Sequence, residues 1–233
     1  MILTRDEAFK VVCNFRTPSS DGTKVILGTG MFVTDEKKVW IVTASHVAKS
    51  TNENTILALS DHESNCITIY LIDLNKQLEW KNHGVADLAV FPIDITEENS
   101  VYLNNRCLPL DHINFKETHV SRDVELTSVG FPQGLGVEGK FSPLTFRSYA
   151  SSALLSFERF DTHTLSDFFC LENPSVGGYS GCPVFDLGYM VVGGMTTTKE
   201  KTICYGFMHG TLGDDTGGKL AVVTPSYYLK DLV

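Results

Sequence analysis

An all-β fold is what this sequence predicts, and three observations predict it. Apolar and polar residues alternate with period two over most of the length. The apolar positions favour β-branched and aromatic residues. Gly, Pro, Asn and Asp cut the alternation into short runs. The 233 residues are 42% hydrophobic and 20% charged, an ordinary globular balance with enough apolar side chains for a core.

The elements follow in order. Thr4-Arg5-Asp6-Glu7 has the form of a capping box, in which each end of the motif satisfies a backbone N–H of the other, so a short N-terminal helix is expected. Strands are expected over 24–34, 38–43, 55–59, 66–72 and 87–93. Residues 95–122 lose the alternation and gain polar residues, which reads as a linker. A second group of strands covers 123–130, 143–155, 168–172, 182–186, 190–196, 203–208 and 219–223. Thr224 suits an N-cap and Pro225 a first helical position. A terminal helix over 225–232 is therefore expected, with Tyr228, Leu229 and Leu232 on its apolar face. This divides the chain into 1–94, a linker 95–122, and 123–233.

Charge and composition exclude several partners. The net charge is −9, from 28 acidic and 19 basic residues, and no basic run exceeds Lys37–Lys38. A surface that tracks phosphates needs clustered Lys and Arg, so nucleic acid is not expected as a partner. No apolar run reaches the ~18 residues of a membrane span, and no membrane partner is expected. Arg5, Asp6, Glu7 and Lys10 interrupt what a signal peptide would keep apolar, so the expected location is cytoplasmic. The six cysteines (13, 66, 107, 170, 182 and 204) are expected to be reduced, because a chain with a sizeable core needs no staples. They form no C-x-x-C pair, and His112 and His119 lie in a polar stretch. No metal and no cofactor are expected, and the oligomeric state is left open.

Three segments carry chemistry: TASHV at 43–47, ADLAVF at 86–91 and GGYSGCPVF at 177–185. A serine hydroxyl is a weak nucleophile until a neighbouring base takes its proton. That base must be held in one tautomer, and a buried carboxylate does this while stabilising the imidazolium that forms. His46, Asp87 and Ser180 supply base, orienter and nucleophile. Taken singly, each segment has a plain structural reading: a strand end, a turn aspartate, a tight glycine turn. Taken together they run in the order His, Asp, Ser, separated by 41 and 93 residues. Only a fold that gathers distant loops would join them.

These motifs resemble the trypsin/chymotrypsin superfamily, in the manner of HtrA-type and viral trypsin-like proteases. Thr43-Ala44-Ser45-His46 matches the family's histidine run, Asp87-Leu88-Ala89-Val90 its aspartate strand, and Gly178 to Val184 its G-x-S-G-x-P-[LV] nucleophile loop. Gly28-Thr29-Gly30-Met31-Phe32-Val33 is similar to the strand preceding the histidine. The resemblance implies two six-stranded β-barrels with a short C-terminal helix, the histidine and aspartate in the first barrel and the serine in the second. It implies a serine endopeptidase acting on protein or peptide substrates, with an oxyanion hole formed by the backbone N–H groups of Gly178 and Ser180. It also implies a primary pocket floored near Pro174 and Ser175 and walled by Met195, Thr196, Thr197 and Thr198, with Thr196 backing the aspartate. Neither Pro174 nor Ser175 offers the carboxylate that a preference for Arg or Lys requires. The rival from another class is an inactive module of the same fold that binds peptides in the cleft. An α/β-hydrolase is disfavoured because Cys182 stands where its G-x-S-x-G elbow needs glycine.

Overall fold

The computed structural model of the chain describes residues 1–159, 161–199, 201–213, 215 and 217–233, and only the backbone of 190–192. It is mostly β, in two antiparallel sheets. The first is made of β1 (Val12–Pro18), β2 (Val25–Thr34), β3 (Val39–Thr43), β4 (Ile56–Ser60), β5 (Cys66–Tyr70), β6 (Lys81–Asn82) and β7 (Ala89–Ile93). Their order is β5-β4-β1-β2-β3-β7-β6, and the short β8 (Leu108–Pro109) pairs in parallel with β2.

The second half contributes β9 (Leu126–Gly130), β10 (Leu144–Ser148), β11 (Leu155–Glu158), β12 (Leu165–Leu171) and β13 (Pro183–Asp186). A projecting hairpin, β14 (Tyr189–Val192) and β15 (Met195–Thr198), precedes β16 (Ile203–Gly213) and β17 (Lys219–Pro225). The second sheet runs β10-β9-β13-β16-β17-β12-β11.

Alternation along the strands fills separate interiors. Phe15, Phe32, Ile41, Leu57 and Phe91 pack on the first sheet, and Leu126, Tyr179, Val184, Met208 and Val223 on the second. A further cluster takes Met31, Val42 and Leu88 from the first sheet and Val129, Phe185 and Phe207 from the second, which ties the two together. Each such side chain contributes about 1.5–3 kcal/mol on burial, so the seam between the sheets is as firmly held as either interior.

The helix at the N-terminus is present as α1 (Arg5–Ala8). Thr4 Oγ1 accepts from the Glu7 N–H at 3.2 Å, and the Glu7 carboxylate accepts from the Thr4 N–H at 2.8 Å. A one-turn helix, α2 (Ser45–Ala48), follows β3.

Elsewhere the expectations need correction. Strand β1 was not expected, because its continuous burial from Val12 to Phe15 erases the alternation that marks a half-exposed strand. The run 143–155 is two strands with a turn between, and 190–196 spans the Gly193–Gly194 turn of the β14–β15 hairpin. Residues 95–122 contain α3 (Glu97–Leu103), capped by Thr96, as well as β8. The terminal helix is a 3-10 turn, Ser226–Asp231, with Pro225 just outside it. No helix among the described residues is long and apolar enough to cross a membrane.

Candidate active site

Strands β3 and β7 are antiparallel, with Thr43 opposite Ala89. The residues just after β3 and just before β7 therefore share one rim of the first sheet. Ser45 fastens them: its hydroxyl donates to the Leu88 carbonyl at 3.1 Å and to Asn82 Oδ1 at 2.9 Å. His46 then meets Asp87 twice. Its Nδ1 lies 2.7 Å from Asp87 Oδ2, and its backbone N–H donates to Oδ1 at 3.1 Å, which satisfies a first-turn donor of α2.

Asp87 is fully buried. Burial alone would raise its carboxyl, but hydrogen bonds from His209 and His46, reinforced by their charge, hold it well below the usual carboxylate range. An ionised carboxylate only accepts, so His46 Nδ1 carries a proton toward Asp87, and in the neutral ring Nε2 is the unprotonated nitrogen.

The serine loop approaches from the second sheet. Ser180, half-buried, lies in the turn between β12 and β13. Its carbonyl accepts from the Thr29 N–H at 2.9 Å, and Thr29 Oγ1 donates to the Gly178 carbonyl at 3.0 Å. The Thr29 carbonyl in turn accepts from Thr43 Oγ1 at 2.7 Å, one residue before the TASH turn begins to bend. Gly181 (φ +80°) makes this approach possible. A Cβ there would collide with Thr43 Oγ1 and the Thr29 carbonyl and come within 2.9 Å of the Ala44 nitrogen.

Two carbonyls of the loop are tied down by backbone N–H groups. The Gly177 carbonyl accepts from the Gln133 N–H at 2.6 Å, and the Tyr179 carbonyl from the Cys182 N–H at 2.9 Å. In a trans peptide the N–H points opposite to its carbonyl, so the N–H groups of Gly178 and Ser180 both turn away from those partners. Gly178 (φ +94°) sits so tightly that a Cβ would lie 2.5 Å from the Phe131 carbonyl oxygen. Cys182 is fully buried, and burial pushes its thiol well above the usual range, which leaves no thiolate to attack.

Two residues of this site are not legible in the sequence, His209 and Arg159. His209 Nδ1 lies 2.6 Å from Asp87 Oδ2, with its ring against Phe168. It sits at a bulge in β16: Met208 pairs Val223 and Gly210 pairs Val222, so the residue between is the extra one. A bulge re-aims a side chain, and here it turns the imidazole onto the carboxylate. Arg159 follows β11, and its buried Nη2 donates to Asp87 Oδ1 at 3.2 Å. Neither a strand histidine nor a loop arginine 72 residues from Asp87 carries a local signal.

His46, Asp87 and His209 have the donor types of a metal site. However, both Nδ1 atoms close on one carboxylate oxygen at 2.6–2.7 Å. That spacing fits shared protons rather than ligands spread around an ion with bonds near 2 Å.

The candidate pocket residues divide. Ser175 is at the site's edge, its carbonyl accepting from Thr211 Oγ1 at 3.2 Å, with exposed Pro174 beside it. The β13–β16 register pairs Pro183 with Phe207 and Asp186 with Ile203, and the Gly181 N–H donates to the Met208 carbonyl at 2.7 Å. Residues 208–211 therefore flank the serine loop, and the β14–β15 hairpin springs from the opposite end of β13. Met195, Thr196, Thr197 and Thr198 are exposed there. The hydrogen bonds to Asp87 come from His46, His209 and Arg159.

Residues 28–193 match the family model of the trypsin-like peptidase domain. The chain belongs to that family. The fold of this trypsin-like domain is shared with the Rv3671c protease from M. tuberculosis in its active form. The TM-score is 0.57 at 15% identity, over 97% of this chain and 80% of that one. An inactive serine-to-alanine variant of the same protease gives a TM-score of 0.56 at 14% identity, over 97% and 86% of the two chains. No curated protein sequence matches the chain.

Proposed function

We propose that this trypsin-like domain is a serine endopeptidase. Ser180 attacks the scissile carbonyl, His46 Nε2 takes its proton and later returns it to the leaving amine, and Asp87 holds the ring. The N–H groups of Gly178 and Ser180 receive the oxyanion, a role worth on the order of 3–4 kcal/mol of transition-state stabilisation per donor. The observation that carries this reading is the His46–Asp87 contact, 2.7 Å to a fully buried carboxylate, on the rim against which the serine loop packs. Pro174 and Ser175, with Gly210 and Thr211 opposite, form the primary pocket. They carry no charge, so a small or medium uncharged residue before the scissile bond suits these four residues better than an Arg or Lys.

The test is covalent. A fluorophosphonate probe, followed by peptide mapping, is expected to label Ser180 alone, and Ser180→Ala to abolish labelling while the fold persists. A correctly folded parent protein that takes up no probe, or takes it up elsewhere, overturns the reading in favour of a peptide-binding module.

A further inference from the structure

Asp87 is held from both sheets at once. Each of its oxygens takes one bond from His46 and one from the second sheet: Oδ1 from the His46 N–H and Arg159 Nη2, Oδ2 from His46 Nδ1 and His209 Nδ1. A guanidinium on the orienting carboxylate raises an electrostatic difficulty. Its positive charge opposes the imidazolium that the same carboxylate must stabilise. Asp161 bears on this directly. It binds Arg159 in the two-pronged manner, Nε to Oδ1 at 2.9 Å and Nη2 to Oδ2 at 2.7 Å, closer than the 3.2 Å to Asp87. Arg159 also donates to the Val85 carbonyl at 3.1 Å, two residues before Asp87, so it grips the backbone of that segment as well.

We propose that Arg159 and Asp161 form a charge-balanced positioning unit for Asp87, in which Arg159 fixes the carboxylate from the second sheet and Asp161 offsets the guanidinium so that Asp87 keeps its negative charge for His46. The unit rests on the assignment of His46 as the base. The ionisable groups bonded together here are His46, Asp87, His209, Arg159 and Asp161, drawn from α2, the turn before β7, β16 and the turn after β11. With Asp87 and Asp161 ionised against one guanidinium, the cluster presents one net negative charge to two imidazoles. Arg159 is nearly inaccessible, whereas Asp161 is about a quarter exposed. Asp161 therefore tolerates an isosteric change that leaves the packing alone.

The test uses the full chain in four forms: parent, Asp161→Asn, Arg159→Met, and the double variant. The C2-proton NMR titration of His46 is followed in each, alongside the pH dependence of kcat/KM. In Asp161→Asn the guanidinium bears on Asp87 uncompensated. The His46 titration midpoint and the acid limb of kcat/KM should both move to lower pH by about half a unit or more, as expected for a charge change within hydrogen-bonding range. The double variant removes one charge of each sign. It should return the midpoint to the parental position while kcat stays about tenfold down for want of positioning. A purely structural role would lower stability without moving the midpoint. An Asp161→Asn midpoint equal to the parent's overturns the proposal, as does a double variant that stays shifted. The NMR titration requires no turnover, so it judges the unit even if fluorophosphonate labelling fails.

Discussion

The two halves of the site are held by different physics. The His46–Asp87 half is a set of charge-assisted hydrogen bonds closed around a fully buried carboxylate, with Arg159 and His209 reaching it from the other sheet. The Ser180 half is a half-exposed turn shaped by backbone: positive-φ glycines and carbonyls turned to Gln133, Cys182 and Thr29. One half depends on side-chain chemistry and the other on the absence of side chains. They should therefore fail in different ways.

The largest effect is expected at the two residues proposed to react. Ser180→Ala and His46→Ala are each expected to cost roughly 10⁶-fold in kcat, because such groups act as a unit. Steady-state kinetics on a peptide reporter checks this, and activity within tenfold of the parent in either variant removes the assignment. Next is Asp87→Asn, at about 10⁴-fold, through loss of the His46 tautomer rather than of the fold. Retention of the thermal transition within a few degrees alongside that loss would separate chemistry from architecture.

The serine half should instead break through stability. Gly181→Ala places a Cβ against Thr43, the Thr29 carbonyl and the Ala44 nitrogen, at a φ of +80° that disfavours any side chain. A loss of about 2–4 kcal/mol is expected from strain and overpacking together. Urea denaturation reads it directly, and a loss below 1 kcal/mol would mean that the two loops do not meet this closely.

Acid sharpens the comparison further. The folded-state pKa of Asp87 is depressed, so its contribution is fully present above the unfolded carboxylate value of about 4 and drains as pH falls below it. Between pH 5 and pH 2 the parent should lose on the order of 2 kcal/mol more than Asp87→Asn loses. Equal slopes for the two proteins would mean that the carboxylate is not held ionised. The smallest effect is a silence. The Cys182 and Cys204 thiols, both fully buried and pushed up by burial, the latter to about 12, should resist iodoacetamide until the protein unfolds.

Much of this was legible in the sequence because the signals are local. The TASH turn, the aspartate before an apolar strand and the glycine-flanked serine each announce themselves within ten residues. Strands with one exposed face showed their alternation. Strand β1 did not, since both its faces are covered, and α3 hid behind a capping box closed by Asn99 in place of Glu or Gln. His209 and Arg159 were beyond reach for another reason. Their roles arise only when β16 bulges and when the turn after β11 meets the turn before β7, events between residues 122 and 72 positions apart. Counting forward from Ser180 likewise cannot reveal that the chain forms the β14–β15 hairpin before it returns along β16.

That returning strand serves two masters. Within three residues, β16 presents His209 to the buried carboxylate and Thr211 to the Ser175 carbonyl. Retuning substrate preference by substituting residue 210 or 211 would tug on the bulge that aims His209. If residues 210 and 211 line the primary pocket as proposed, selectivity and turnover are mechanically geared in this domain. A laboratory search for altered cleavage preference should recover variants that change rate and preference together, and freer variation at Pro174, which lies off that strand.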